Sequence, residues 1–282
     1  MQPKEPELRL IKPDDIPAVV RLMEKIGWNH PVEQTKQYIG WGGSGSFCLA
    51  FADEIVATAI ALKYNQRLAW VGLVISDPDY QRRGFARRLM NHVMSYLEGV
   101  ESVMLDASVA GFPIYDKMGF QSLYKINAYC GTPQVYELPS SVRAMTEADI
   151  EAVVSMDCKT HGIARPHIIR WLFETGKSYV TTENGLITGY AFTKRFGDTL
   201  RAIAWNANSR NAADHILRAC STEAAQGNFH LRINVPEPNI IASDLAEAHQ
   251  LTIERYVTRM VYGQPPPGKM GEQYGIITFM TG

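Results

Sequence analysis

The chain is short of cysteine, of net charge and of long apolar runs, and each shortage removes a class of function. Its four cysteines, Cys48, Cys130, Cys158 and Cys220, are widely separated and form no CxxC pair. That spacing argues against a zinc site or a disulfide framework and leaves them as buried thiols. His161, His167 and His215 likewise lack metal-ligand spacing, so no metal is expected. A formal net charge of −1 offers no basic footprint, and no run of lysine and arginine could track a phosphate backbone, so nucleic acid is disfavoured as a partner. No segment has the apolar length of a membrane span. The stretch Met1 to Glu7 is polar and lacks the apolar core of a signal peptide, so a cytoplasmic protein is expected.

What is present points to a repeated globular fold. At 282 residues the chain exceeds what one hydrophobic core usually serves. Laid over itself without a gap, Leu8 to Val20 (LRLIKPDDIPAVV) matches Val142 to Val154 (VRAMTEADIEAVV), with Arg9 on Arg143, Asp15 on Asp149 and Ile16 on Ile150. Each copy reads as a short strand entering an amphipathic helix, with Asp14 and Thr146 as expected N-caps. A second unit therefore starts near residue 141, after the turn-rich Gly131-Thr132-Pro133 and Leu138-Pro139-Ser140-Ser141. The expected units are 1–135, 141–264 and a C-terminal arm, 265–282, which follows the proline run at Gln264 to Gly268 and packs on the body.

Periodicity gives the halves one plan. In the first, strands are expected at 47–52, 55–63, 67–76, 102–106 and 121–129, with a turn at Asp53-Glu54 and helices at 84–99 and 113–118. In the second, strands at 178–183, 186–195, 200–204, 229–235 and 253–262 alternate with helices at 212–225 and 240–249. The informative stretch is Leu73 to Leu89 (LVISDPDYQRRGFARRL), in which an apolar strand passes through a proline turn into a helix start. Orphan amides and the helix dipole make such a start an anion site. Gly84 permits close approach, Ala86 keeps the next turn small, and Arg82, Arg83, Arg87 and Arg88 add positive charge. A pyrophosphate fits that need. Asp77 and Asp79 read as turn residues beside Pro78.

Gln81-Arg82-Arg83-Gly84-Phe85-Ala86 resembles the Q/R-x-x-G-x-G/A signature of GNAT acetyltransferases, preceded by that family's Val/Ile-x-Pro-x-Tyr in Ile75, Pro78 and Tyr80. Ile114 to Phe120 (IYDKMGF) is similar to the family's apolar-Tyr-x-x-x-Gly-Phe segment. The resemblance implies an α/β fold of two tandem domains, each a central, largely antiparallel, splayed sheet flanked by helices. It implies acetyl-CoA as co-substrate, in a cleft between the strand ending at Ser76 and the strand 102–106. The pyrophosphate would lie on the amides of Arg82, Arg83, Gly84, Phe85, Ala86 and Arg87 beside Gln81, and the pantetheine along Leu73, Val74 and Ile75. It assigns Tyr115 to protonation of the departing thiolate. Ser108 stands where the family often has asparagine, which implies a weaker cofactor contact. No carboxylate lies in Trp70 to Ser76, so Asp106, a water chain or an already neutral amine is left as the route for the acceptor's proton. Trp28, Tyr38 and Trp41 are candidates for the acceptor pocket, with core packing as the plainer reading.

The second half has Ala204 to Ala213 (AWNANSRNAA) in place of the phosphate loop and Ala248 to Leu251 in place of Met118-Gly119-Phe120. It resembles the degenerate C-terminal domain of bacterial tandem-GNAT proteins and is not expected to bind acetyl-CoA productively, although Asn206, Asn208, Ser209 and Arg210 leave a small anion possible there. The expected activity is N-acetylation of a small-molecule or peptide amine. The alternatives are a non-catalytic acyl-CoA sensor and a protein lysine or N-terminal acetyltransferase. Acceptor identity and oligomeric state stay open.

Overall fold

The structure is a computed structural model and describes residues 5–28, 30–52 and 54–282; Asp53 of the expected turn lies outside them. In chain order the first half is β1 (Glu7–Leu10), α1 (Ile16–Lys25), α2 (Val32–Gly42), β2 (Ser46–Phe51), β3 (Glu54–Lys63), β4 (Leu68–Ser76), α3 (Phe85–Tyr96), β5 (Ser102–Ala107), α4 (Phe112–Lys117) and β6 (Gln121–Gly131). The second is β7 (Val142–Ala144), α5 (Ile150–His161), α6 (Pro166–Thr175), β8 (Lys177–Glu183), β9 (Leu186–Phe196), β10 (Thr199–Ala207), α7 (Arg210–Gln226), β11 (His230–Pro236), α8 (Ile240–Ala248) and β12 (Thr252–Gly263).

All the strands join in one 12-stranded sheet of order β1-β2-β3-β4-β5-β12-β6-β11-β10-β9-β8-β7. The halves exchange their last strands. β12 lies between β5 and β6, with Arg259 opposite Asp106 on one side and Thr258 opposite Lys125 on the other, while β6 pairs with β11. Only β4–β5 and β10–β11 are parallel, so the sheet is mixed and largely antiparallel. The connector between β6 and β7 is tied to α7, where Ser221 Oγ and Thr222 Oγ1 accept from the amides of Gln134 and Tyr136 at 2.9 and 3.0 Å.

The sequence repeat has a physical cause. Arg9 grips Asp15 with two hydrogen bonds of 2.6 and 2.9 Å, and Arg143 grips Asp149 in the same way at 2.6 and 2.8 Å. Asp15 Oδ2 also accepts from the Lys12 amide, and Asp149 Oδ2 from the Thr146 amide and hydroxyl. Each aspartate thus latches strand to helix and satisfies a helix-entry amide; its neighbour guanidinium pulls the Asp149 carboxyl below the usual range. The expected cap Asp14 is exposed and does not cap: Asp15, one residue on, takes that work. Thr146 does occupy the N-cap position, in a capping box with Asp149, to which its hydroxyl also donates.

One core lies between α3 and the first-half sheet and another beneath α7 and α8. A third spans the halves: Leu62, Trp70 and Met104 pack with Ile168, Leu172 and Phe192. Across the same divide Trp41 of α2 meets Trp171 of α6 edge-on at 5.1 Å, and His30 meets Phe196 of β9 at 5.7 Å. Burial, with Arg201 nearby, lowers the His30 pKa from 6.5 to about 4. Above pH 6.5 the ring is neutral in both folded and unfolded chains. Between about 6.5 and 4 the unfolded chain binds a proton that the fold refuses, so stability falls as pH drops through that window. His30→Gln is expected to flatten the pH dependence of the guanidinium unfolding free energy there by about 1.4 kcal/mol per pH unit, one proton's worth.

Candidate functional site

The strand-to-helix passage after β4 forms a cradle of exposed backbone. Asp77 accepts from the amide of Asp79 at 2.9 Å, and both aspartates hold Lys25 of α1, at 2.7 and 3.2 Å, which fixes the turn as the Asp-Pro-Asp sequence suggests. The chain then turns through Arg82 and Gly84, both at positive φ (61° and 79°), before α3 begins. Gly84 holds the N-cap position with no side chain to satisfy the helix amides, and a Cβ built there would meet nothing within 4 Å. Among the described residues the amides of Arg82 to Arg87 donate to no carbonyl or side chain; the first helical bond at this end runs from Arg88 to the Gly84 carbonyl at 2.9 Å. Gln81, Arg82, Arg83 and Gly84 are exposed, Ala86 is partly so, and Phe85 anchors the turn in the core. Arg83 lies over the Tyr80 ring at 5.1 Å. Arg88 is drawn instead to the N-terminal segment, on Glu5 and the Pro6 carbonyl at 3.1 Å each.

The cradle opens onto a splay. Pairing of β4 with β5 runs from Leu68–Ser102 to Val71–Leu105 and stops, leaving Gly72 to Ser76 as a free edge opposite Asp106 and Ala107. Within that edge β4 carries an extra residue against β3, with Leu73 at φ 49° and the Thr58 hydroxyl donating to the Leu73 carbonyl at 2.8 Å. The second half repeats the device. β10 and β11 stop pairing at Ala202–Ile233, and β10 carries its own extra residue, with Ala204 at φ 50°. That second splay is filled by the C-terminal arm: the Ala204 amide donates to the Ile276 carbonyl at 3.2 Å, Ile276 donates to Asn234 at 3.0 Å, and Gly275 to Trp205 at 2.8 Å. Three of the four polar residues singled out near the second helix start have side-chain partners. Ser209 caps the Ala212 amide, Asn206 donates to Thr160, and Arg210 pairs with Asp244.

Tyr115 lies on α4 with its ring buried against the α3 core, 6.0 Å from Phe120. Burial raises its pKa, so the phenol stays protonated. Ser108 Oγ accepts from the Gly111 amide at 3.1 Å, which assigns it to the α4 entry. Asp106 is not placed as a free base. Both its oxygens accept from Arg259 of β12, at 2.8 and 2.9 Å, and both side chains are 0% exposed. Its partner comes from the other half, 153 residues away, which no local pattern signals. Arg259 also lies over the Trp70 ring at 4.6 Å.

Two of the three aromatic candidates meet at a cavity. Tyr38 and Trp41 line it with Ile60, Leu62, Gly72 and Leu73, and the arm adds Met280 and Thr281. Trp28 does not reach it and packs on the α1 core instead. The Tyr38 phenol is buried and accepts from Gln34 Nε2 at 2.6 Å. Gly72, Met280 and Thr281 carry no sequence signal for this role. Among the described residues no group of three or more His, Cys, Asp or Glu side chains is arranged to hold a metal, and no helix is long and apolar enough to cross a membrane.

Comparison with known proteins gives both halves the same kinship. The pattern of the "Acetyltransferase (GNAT) family" matches residues 16–120, and that of the "Acetyltransferase (GNAT) domain" matches 153–275. The uncharacterized N-acetyltransferase YitH of Bacillus subtilis (strain 168) is 24% identical over 96% of this chain and 97% of its own. A structure from Pyrococcus horikoshii, described as a candidate acetyltransferase, superposes with a TM-score of 0.85 at 23% identity, covering 100% of this chain and 98% of that one. A tandem GNAT protein from the clavulanic acid biosynthesis pathway superposes at 0.67 with 11% identity, over 92% and 99% of the two chains.

The Asp106–Arg259 pair makes a direct prediction. Asp106→Asn leaves a buried guanidinium uncompensated and is expected to cost about 3–5 kcal/mol in chemical denaturation, whereas Asp106→Leu combined with Arg259→Met recovers most of that loss.

Proposed function

Since the chain belongs to the GNAT acetyltransferase family and carries two such domains in tandem, we propose that its first half transfers the acetyl group of acetyl-CoA to a primary amine by direct attack in a ternary complex. The observation that carries this reading is the run of uncommitted amides from Arg82 to Arg87 at the start of α3. They would hold the pyrophosphate, with the dipole of α3 and the exposed Arg82 and Arg87 adding to the attraction. The free edge Leu73 to Ile75 would pair with the pantetheine. The second half supplies a stand-in for the next contact: at the matching bulge, the Ala204 amide already receives a carbonyl, that of Ile276. By the same geometry the Leu73 amide would receive and polarise the thioester carbonyl.

Tyr115, protonated by its burial, would give its proton to the departing thiolate. With both Asp106 oxygens committed to Arg259, the acceptor would enter as a neutral amine or lose its proton to water, and proximity to a polarised carbonyl supplies the remaining drive. The second half would bind no acetyl-CoA, because Gly275 and Ile276 fill its splay. We place the protein in the cytoplasm, where its four free thiols would stay reduced.

Calorimetric titration of acetyl-CoA into the wild type, Gly84→Asn and Gly84→Glu tests the binding step. Asparagine tolerates the positive φ at this position. Gly84→Asn is expected to bind and the added carboxylate of Gly84→Glu to abolish binding; a wild type that does not bind sinks the reading. Tyr115→Phe is expected to lower kcat by about 10²–10⁴-fold with acetyl-CoA affinity unchanged. A non-catalytic sensor would bind acetyl-CoA equally well in both proteins and release no thiol from either.

A further inference from the structure

The C-terminal arm does two things in one short stretch. After Gly275 and Ile276 have filled the second splay, residues 277–282 fold back in a tight turn, closed by the Gly282 amide on the Thr278 carbonyl at 3.1 Å. That turn is fastened to both halves. Tyr64 donates to the Thr281 carbonyl at 2.8 Å and Trp70 Nε1 to that of Phe279 at 3.2 Å, while Arg165 donates to the carbonyls of Thr281 and Gly282 at 2.9 Å each. Arg165 is itself held by Asp157 at 2.8 and 3.0 Å, with neither side chain more than 1% exposed.

The fastened turn sets Met280 against Gly72, immediately before the β4 bulge. A Cβ at Gly72 would stand 2.9 Å from the Met280 Cα and 3.0 Å from its Cγ, so the missing side chain of Gly72 is the room that Met280 occupies. What remains between them, Tyr38 and Trp41 is a cavity of about 10 Å³, one water's worth of space, and among the described residues no charged side chain lines it.

We propose that Met280 sets the depth of the acceptor pocket: its side chain, delivered by an arm rooted in the second half, fills the apolar space beside Gly72 and Leu73 into which the carbon chain of a primary amine would extend, and so restricts the acceptor to amines with a short apolar body at that end. The inference rests on the acetyl-transfer reading for the meaning of the pocket, and only the pocket itself is needed for its test. A lid that closes over acetyl-CoA is a different device, because the arm lies on the α2 side of β4 and is anchored on both halves.

Met280→Ala removes three heavy atoms from the wall, and Met280→Leu keeps nearly the same volume. Each protein is titrated calorimetrically with n-alkylamines from ethylamine to octylamine and, separately, with acetyl-CoA, after thermal melts have shown that all three fold. In Met280→Ala the affinity is expected to rise about fourfold per added methylene for two or three methylenes beyond the wild-type optimum. Met280→Leu is expected to keep the wild-type profile. An alkylamine profile that is the same in Met280→Ala and the wild type, including binding by neither, overturns the proposal. A shifted profile in proteins that do not bind acetyl-CoA supports the pocket and removes the acetyltransferase reading, so the two failures are separable.

Discussion

The structure hangs on the insertion of β12 between β5 and β6, and that insertion is sealed by Asp106 and Arg259. Two charges with 0% exposure are tolerable only as a pair, since each alone would carry its full desolvation cost. The pair fastens strands from opposite halves at the place where β5 begins to part from β4. Neither half therefore owns a complete sheet: β5 of the first is covered by β12 of the second, and β11 of the second by β6 of the first. The position of β5, and with it the width of the splay, is set by a strand from the half that lacks the Q-x-x-G-x-G/A pattern. A domain without the cofactor signature thus shapes the proposed cofactor cleft of the other.

The two halves reach the same backbone solution and complete it differently. Both carry the Arg–Asp latch at the first helix, the bulge in the fourth strand of each half and the splay beyond it. They differ in who satisfies the exposed backbone groups. At the start of α7, Ser209 caps an amide with its own side chain, and the neighbouring splay is filled by Gly275 and Ile276. At the start of α3, Gly84 has nothing to offer, and among the described residues the amides of Arg82 to Arg87 have no internal partner. The proposed anion binding follows from the absence of internal partners, and a glycine at the N-cap is the simplest way to leave an amide without one.

This contrast also explains what could be read from the sequence. Strands and helices of the expected plan are present with shifts of a few residues at their ends, because apolar alternation and the turn residues between are local signals. The proposed phosphate loop is legible for the same reason: its conformation is encoded in consecutive residues. Asp106 reads as a candidate base in the sequence because the partner that holds both its oxygens lies 153 positions away, and Met280 and Gly72 give no sign because their contact is made only when the arm crosses the sheet. The strand exchange was invisible too, since β6 and β12 have the same pattern whichever half they join. Asp14 and Asp15 are adjacent acids at a helix entry; their neighbour two residues into the preceding strand, Arg9, decides which one turns inward.

The arm gives a physical reason for the second splay to stay open. A β-bulge and an unpaired strand edge leave buried amides and carbonyls that cost free energy unless they are bonded. In the first half those groups on Leu73 to Ile75 face the proposed pantetheine. In the second they are taken by the chain itself, with the Ala204 amide on Ile276 and the Asn234 carbonyl receiving the Ile276 amide. Closing that splay would free the arm, and the arm carries Met280 to Gly72. The cleft of the second half has thus become the root of a wall in the first, and its open geometry is held in place by the contact that wall makes.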